Sequence, residues 1–312
     1  MSETRFMDIQ KDKHRKGAVE KVAQIIFTVC ASFTIIAVLS ITIYMIVNGT
    51  PAIFKVGLKE LLFGTVWKPT AKEPLYGIAY VIMTSIFGTF LAVLIGVPIG
   101  LLTAVFLAEV APPNLSKIVK PAVELLAGIP SVIYGLLGLM ILNPLMYKWE
   151  LAFFKNSTTH QFTGGANLLS AVIVLAIMIL PTVINMSETA IRAVEPSIKF
   201  SSLALGASKM QTVFKVILPA AKSGIMTAIV LGVGRAIGEA MAISLVSGSS
   251  VNLPLPFNSV RFLTTAIVSE MGYASDLHRQ VLFTIGLVLF VFIMIINLIL
   301  EKIIKNGGSR DA

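Results

Sequence analysis

The stretch Gly232-Val-Gly-Arg-Ala-Ile-Gly-Glu-Ala-Met-Ala242 is apolar enough to lie in a membrane, yet it holds an arginine and a glutamate four residues apart, Arg235 and Glu239. A charged side chain near the bilayer centre costs roughly 2.5–3.5 kcal/mol on insertion scales. At i and i+4 of a continuous helix both side chains project from one face. The expectation is therefore a charge pair in the middle of a span. Gly234 and Gly238 flank the arginine with the spacing of close helix contacts and predict a helix-packing role there.

The surrounding composition sets the class. Of 312 residues, 56% are hydrophobic and only 13% charged, about half the charged share of an ordinary soluble domain. This describes an all-α polytopic membrane protein. The single cysteine, Cys30, lies in an apolar run and can form no internal disulfide. The first apolar run, uncharged from Val22 up to Lys55, is too long for a signal peptide and reads as an anchoring span. Six runs reach the roughly 20 residues a crossing needs: about 22–47, 78–108, 122–146, 168–188, 220–246 and 280–301. They divide the chain into a tail over 1–21, a membrane domain over 22–304 and a second tail over 305–312. The second run is longer than one straight crossing requires. A tilt, a kink at Pro98 or an interfacial extension would each account for it.

Six crossings put both termini on one side. Lysines and arginines of the two tails, of the loop after span two and of the 189–222 stretch outnumber those of the other three connections about two to one. The positive-inside rule then predicts cytoplasmic termini. Long connections near 48–77, 147–167 and 247–279 fall outside. In the last of these Val260, Leu263, Ile267 and Met271 recur at helical spacing, as a docking surface for an external partner or as a lid over the bundle. His160 and His278 stand isolated in outer loops, so no metal site is expected. Glu109, Glu124, Glu188 and Glu301 are expected at the cytoplasmic interface.

The cytoplasmic loop over 189–219 has a helix start at Pro196-Ser197 and a boundary at Pro219. Between them Phe200, Leu203, Ala204, Ala207 and Met210 follow the i, i+3, i+4 pattern of a helix with one apolar stripe. Such a stripe packs on the protein's own bundle or enters a groove on a cytoplasmic partner.

Here a resemblance enters. Ala204-Leu-Gly-Ala-Ser208 followed by Val216-Ile-Leu-Pro219 resembles the coupling-loop signature of ATP-binding-cassette importer permeases, with Gly206, Leu218 and Pro219 in register. The family's Glu-Ala-Ala triplet falls on Phe200-Ser201-Ser202, so its acidic residue is missing. Ala127-Gly-Ile-Pro-Ser-Val-Ile-Tyr-Gly-Leu-Leu-Gly138 and Gly234-Arg-Ala-Ile-Gly-Glu-Ala-Met-Ala242 resemble hallmarks of the phosphate-uptake permeases. Trp67-Lys-Pro69, Tyr76-Gly77 and Leu180-Pro-Thr182 look more like the C-type than the A-type subunit. The resemblance implies a type I importer permease fold in a bacterial cell membrane. It implies coupling to an ATPase dimer through Phe200, Leu203, Ala204, Leu205, Gly206 and Ala207. It also implies a second, A-type permease, an external phosphate-binding protein and inorganic phosphate as partners, with ATP and magnesium on the ATPase and no cofactor on this chain.

For the charge pair, one reading is a buried structural pair, which is about neutral for stability. The other is that Arg235 attracts an anion in a water-filled path, its planar fork matching phosphate oxygens, while Glu239 holds that fork between substrates. Binding strong enough to enter and weak enough to leave is what passage needs. The chain has no G-x-x-x-x-G-K-[ST] loop, H-E-x-x-H or G-x-S-x-G, so it carries no nucleotide motor or hydrolase site of its own, and nothing in it points to nucleic acid. The expected function is transport of phosphate. The alternatives are another oxyanion, molybdate or sulfate, or an ion-coupled secondary transporter.

Overall fold

The computed structural model describes residues 3–308, with side chains from Glu20 to Lys302. Side chains of the expected tails, 1–19 and 305–312, lie outside the described residues. Helix α1, Glu3–Val56, already begins within the first of them. It runs through Pro51 to a short α2, Leu58–Phe63, and a two-stranded hairpin, β1 Trp67–Lys68 and β2 Leu75–Tyr76. Helix α3, Ala79–Val105, passes straight through Pro98 and ends in a π turn, Phe106–Val110. Together they span 32 residues, about 48 Å at 1.5 Å per residue. The second run is thus one helix unbroken at Pro98 and longer than a core of about 30 Å requires.

The third expected span is displaced. Helix α4, Pro113–Gly128, stops at Ile129-Pro130, because the residue before a proline is pushed out of the helical region. A new helix then runs from Ser131 to Phe154 as α5, Ser131–Leu137, a π segment, Gly138–Leu142, and α6, Asn143–Phe154. The apolar run of 122–146 straddles this break. By hydropathy the run ends before Lys148 and Glu150, but Glu150 is buried with its charge satisfied, so the helix passes through it.

Helix α7, Leu168–Arg192, is the axis of the fold, with 67% of its most apolar window buried, whereas the corresponding window of α1 has 0% buried. Glycines on α3 let the two backbones meet. A Cβ on Gly96 would lie 2.7 Å from Ile179 and one on Gly100 2.9 Å from Val183. After α7 come α8, Pro196–Ala204, α9, Lys209–Thr212, a π segment, Val213–Ile217, and α10, Leu218–Ala220. The 209–220 segment meets α11, Lys222–Gly238, at 70°. The chain then breaks again before α12, Met241–Val246, and continues to α13, Leu263–Glu270, and α14, Asp276–Gly308.

One end of the bundle, here called lower, gathers the turn after α3, the end of α7 and the 193–221 connection around Ala104, Ile191, Val213 and Ile225. The other, upper, end gathers the hairpin, α13 and the starts of α3 and α14 around Leu61, Ile78, Leu263 and Val281. The 260–271 stripe is absorbed by the bundle: Val260 is buried in the cluster around α7, Leu263 in the upper cluster, and Ile267 and Met271 pack on the latter. Of the two roles open to this stripe, covering the bundle is the one its burial supports.

Candidate functional site

The expected i, i+4 pair on one helix does not form. Helix α11 ends at Gly238, Glu239 is extended at φ −72° and ψ 127°, and α12 begins two residues later. The Glu239 carboxylate accepts the Ala242 N–H at 2.9 Å, while its main-chain oxygen accepts the Thr264 hydroxyl at 2.7 Å. It therefore caps the α12 N-terminus, where the exposed N–H groups and the helix dipole favour a negative charge. Among the described residues Arg235 forms no hydrogen bond or ion pair. As a residue Arg235 is half-buried, in the last turn of α11.

Depth follows from α7, whose midpoint is Leu180. Gly232 sits against Val183, with 3.0 Å left for a Cβ, so Arg235, one turn further on, lies near the middle of the layer. The second break is at the same place. Tyr134, one turn into α5, donates its hydroxyl to Leu126 O of α4 at 2.7 Å and so spans the Pro130 gap. A Cβ on Gly135 would approach Ala242 Cα to 2.7 Å, and one on Gly138 would meet Val246 at the same distance. The structure thus presses two segments about 100 residues apart, 127–138 and 234–246, against each other. Tyr134 escaped the sequence reading because a lone apolar-flanked tyrosine carries no local signal of the helix break its hydroxyl will bridge. Non-helical backbone at this depth is tolerated only where protein or a water-lined cavity receives it.

Gly234 and Gly238 do not pack within this chain: nothing lies within 4 Å of a Cβ on either. The glycines of α11 that do meet α7 are Gly224, against Ala190, and Gly232. Gly234 is about 200° around the helix from Gly232 and Gly238 about 240°, so both face away from α7, in one open stripe with Thr227 and Leu231.

The lower connection is also not one helix. Helix α8 stops at Ala204, the chain turns through Gly206 at φ +87°, and α9 restarts under a capping box in which Ser208 and Gln211 bond each other's backbone. The stripe from Phe200 to Met210 is therefore split, and what remains is a knuckle. No residue of α8 is buried; Phe200 is 65% exposed and Leu205 89%. Leu203, Ala204 and Ala207 lie in the same turn, with Leu203 half-exposed.

At the upper end the two histidines are not isolated. Glu270 is buried and receives Trp67 Nε1 at 3.1 Å, His278 Nε2 at 2.7 Å and Arg261 Nη1. Trp67 faces Tyr76 across the hairpin with ring centroids 5.8 Å apart. Glu150 receives His160 Nε2 at 2.8 Å and Thr163 N at 2.8 Å, with Phe154 stacked on the imidazole at 3.8 Å. A cavity of about 690 Å³ opens beside His160, lined by Tyr80, Thr163, Ser250, Asn252 and Asn258 among others, and no lysine or arginine lines it. Among the described residues no three His, Cys, Asp or Glu side chains come together as a metal site.

A helical membrane bundle whose broken spans meet at half depth around an uncommitted cation has the architecture of a transport protein. The family model described as "Binding-protein-dependent transport system inner membrane component" matches residues 96–306, and the chain belongs to that family. It is 40% identical over 283 residues to the probable ABC transporter permease protein YqgH of Bacillus subtilis (strain 168), covering 88% of each chain. It is 33% identical over 309 residues to the phosphate transport system permease protein PstC of Xylella fastidiosa (strain 9a5c), covering 95% of this chain and 94% of that one. Among solved structures it resembles a chain of the inward-facing MetNI methionine ABC transporter, with TM-score 0.55 and 20% identity over 74% of this chain and 95% of that one. It also resembles a chain of a bacterial alginate ABC transporter in complex with its periplasmic protein, with TM-score 0.56 and 16% identity over 89% and 94%. The fold is that of ABC importer permeases.

Proposed function

We propose that this chain is a membrane permease subunit of an ATP-driven phosphate importer, of the C-type, and that phosphate passes the Arg235 guanidinium. The observation that carries this is a half-buried arginine at mid-depth with no ion-pair partner in its own chain among the described residues, set where two broken helices meet. A lone cation there has a cost that a transported or partner anion would offset. Several relatives named as phosphate transport permeases, such as that of Pasteurella multocida at 36% identity, support phosphate over molybdate or sulfate. Membership of a binding-protein-dependent family weighs against an ion-coupled secondary transporter.

In this reading Glu239 shapes the path from the break, as the cap of α12. The open stripe of Gly234 and Gly238 faces a second, homologous permease that completes the path. The exposed knuckle of Phe200, Leu203, Ala204, Leu205, Gly206 and Ala207 docks a separate ATPase dimer that binds ATP and magnesium, this chain binding no cofactor. An external phosphate-binding protein delivers substrate at the upper end, and both termini are cytoplasmic in a bacterial cell membrane. Labelled-phosphate uptake in cells lacking the native permease tests it. Wild type restores uptake that requires ATP and survives loss of the proton gradient, whereas Arg235→Gln does not restore it. Normal uptake by a well-expressed Arg235→Gln protein would overturn the reading. At the knuckle, a valine at Gly206 meets open space but a φ of +87°, a strain of about 1–2 kcal/mol, and should reduce copurification of the ATPase.

A further inference from the structure

Burial does not hold α8 to the bundle, since none of its residues is buried. Two cations do. Lys199 Nζ lies 2.5 Å from Glu109 Oε2, and the Glu109 side chain is only 8% exposed. Arg192, at the end of α7, donates from Nη2 to Leu107 O at 2.8 Å, while its Nε holds the buried Glu188 at 2.7 Å and Lys120 approaches the same carboxylate at 3.5 Å. Glu109 and Leu107 belong to one element, the π turn Phe106–Val110 that terminates the second crossing.

The geometry has mechanical consequences. A π turn carries its hydrogen bonds one residue out of helical register and is a place where a helix can shift. Beside it a cavity of about 310 Å³, lined by Glu109, Arg192, Pro196, Lys199, Phe200 and Ile217, leaves α8 room to move against the bundle. Motion of α8 cannot leave a buried carboxylate unpaired without a cost of several kcal/mol, so Glu109 follows Lys199. From Glu109 the displacement enters α3, which lies against α7 through Gly96 and Gly100. α7 in turn carries α11 and Arg235 through Gly224 and Gly232.

We propose that the Lys199–Glu109 ion pair is the link that converts movement of α8 into movement of the second crossing, with both side chains acting as positioning residues for transport. This rests on the reading of α8 as the ATPase-facing element. The test uses the purified complex of both permeases and the ATPase in proteoliposomes, with phosphate-loaded binding protein added. The readout is phosphate moved per ATP hydrolysed, for wild type, Glu109→Gln, Lys199→Gln, Lys199→Arg and the reversed pair Glu109→Lys with Lys199→Glu. The two glutamine variants should keep the ATPase bound but lose about fivefold or more in phosphate per ATP, while Lys199→Arg stays near wild type and the reversed pair recovers most of the loss. A ratio unchanged in both glutamine variants would overturn the link. So would a reversed pair that assembles yet is no better than the singles. Failure of the functional reading looks different: the wild-type complex itself would then move no phosphate on ATP.

Discussion

The carboxylates at the two ends of this bundle and the arginine at its middle are treated in opposite ways. At the upper end Glu270 takes donors from Trp67, Arg261 and His278, and Glu150 from His160 and Thr163; at the lower end Glu109 and Glu188 each hold a lysine or arginine. At mid-depth Arg235 has no such partner among the described residues, because the glutamate nearest in sequence is spent on the α12 N-terminus. The closed networks of the upper end tie elements together and answer to stability. An open charge answers to something outside the chain, so mutations in the two regions should separate folding from transport.

The sharpest way to break this comparison is the pair Arg235→Gln and Glu270→Ala. Arg235→Gln should remove nearly all phosphate uptake and leave the thermal unfolding of the solubilised complex where it was. Glu270→Ala removes the acceptor shared by Trp67, Arg261 and His278 and should cost about 3–5 kcal/mol of stability, read as a lower midpoint in the same unfolding assay. A clear stability loss in Arg235→Gln would make it one more structural charge. Next in size is the crossing of the two breaks. Gly135→Leu drives a side chain into Ala242 and should destabilise by about 1–3 kcal/mol, whereas Gly234→Ala faces open space in this chain. The alanine should be neutral or slightly stabilising for the chain alone, by up to about 1 kcal/mol, and any loss should show only when the second permease is present, as weaker copurification. The smallest effect is at the cap. Glu239→Ala removes the acceptor for Ala242 N–H at about 1 kcal/mol, while Glu239→Gln keeps an oxygen there and should unfold like wild type; equal loss in both would mean that the charge, not the cap, matters.

Much of the fold was legible because its evidence is local. Apolar runs of about 20 residues or more mark α1, α3, α7 and α14, and Pro219 marks the approach to α11. The misplaced third span shows the limit: Lys148 and Glu150 read as its end because the partner of Glu150, His160, lies in the next loop and is invisible to a hydropathy count. The helix expected from Pro196-Ser197 through Met210 breaks at Gly206, whose positive φ a periodicity argument does not see. Gly234 and Gly238 meet nothing within this chain, because spacing names a stripe of a helix without saying which way it faces.

By itself, then, the amino-acid sequence determined that this is a multi-span helical membrane protein with a charge at Arg235 inside an apolar window, since insertion energetics depend only on which residues occupy each window. It also marked 127–138 and 234–242 as special. Only the tertiary structure decided that these segments are breaks pressed together, that Glu239 caps α12 instead of pairing with Arg235, and that Lys199 reaches Glu109 across 90 positions. Helix breaks and ion pairs are settled by which groups three-dimensional packing brings within about 3 Å of one another, and that proximity is not encoded in any single window of the chain.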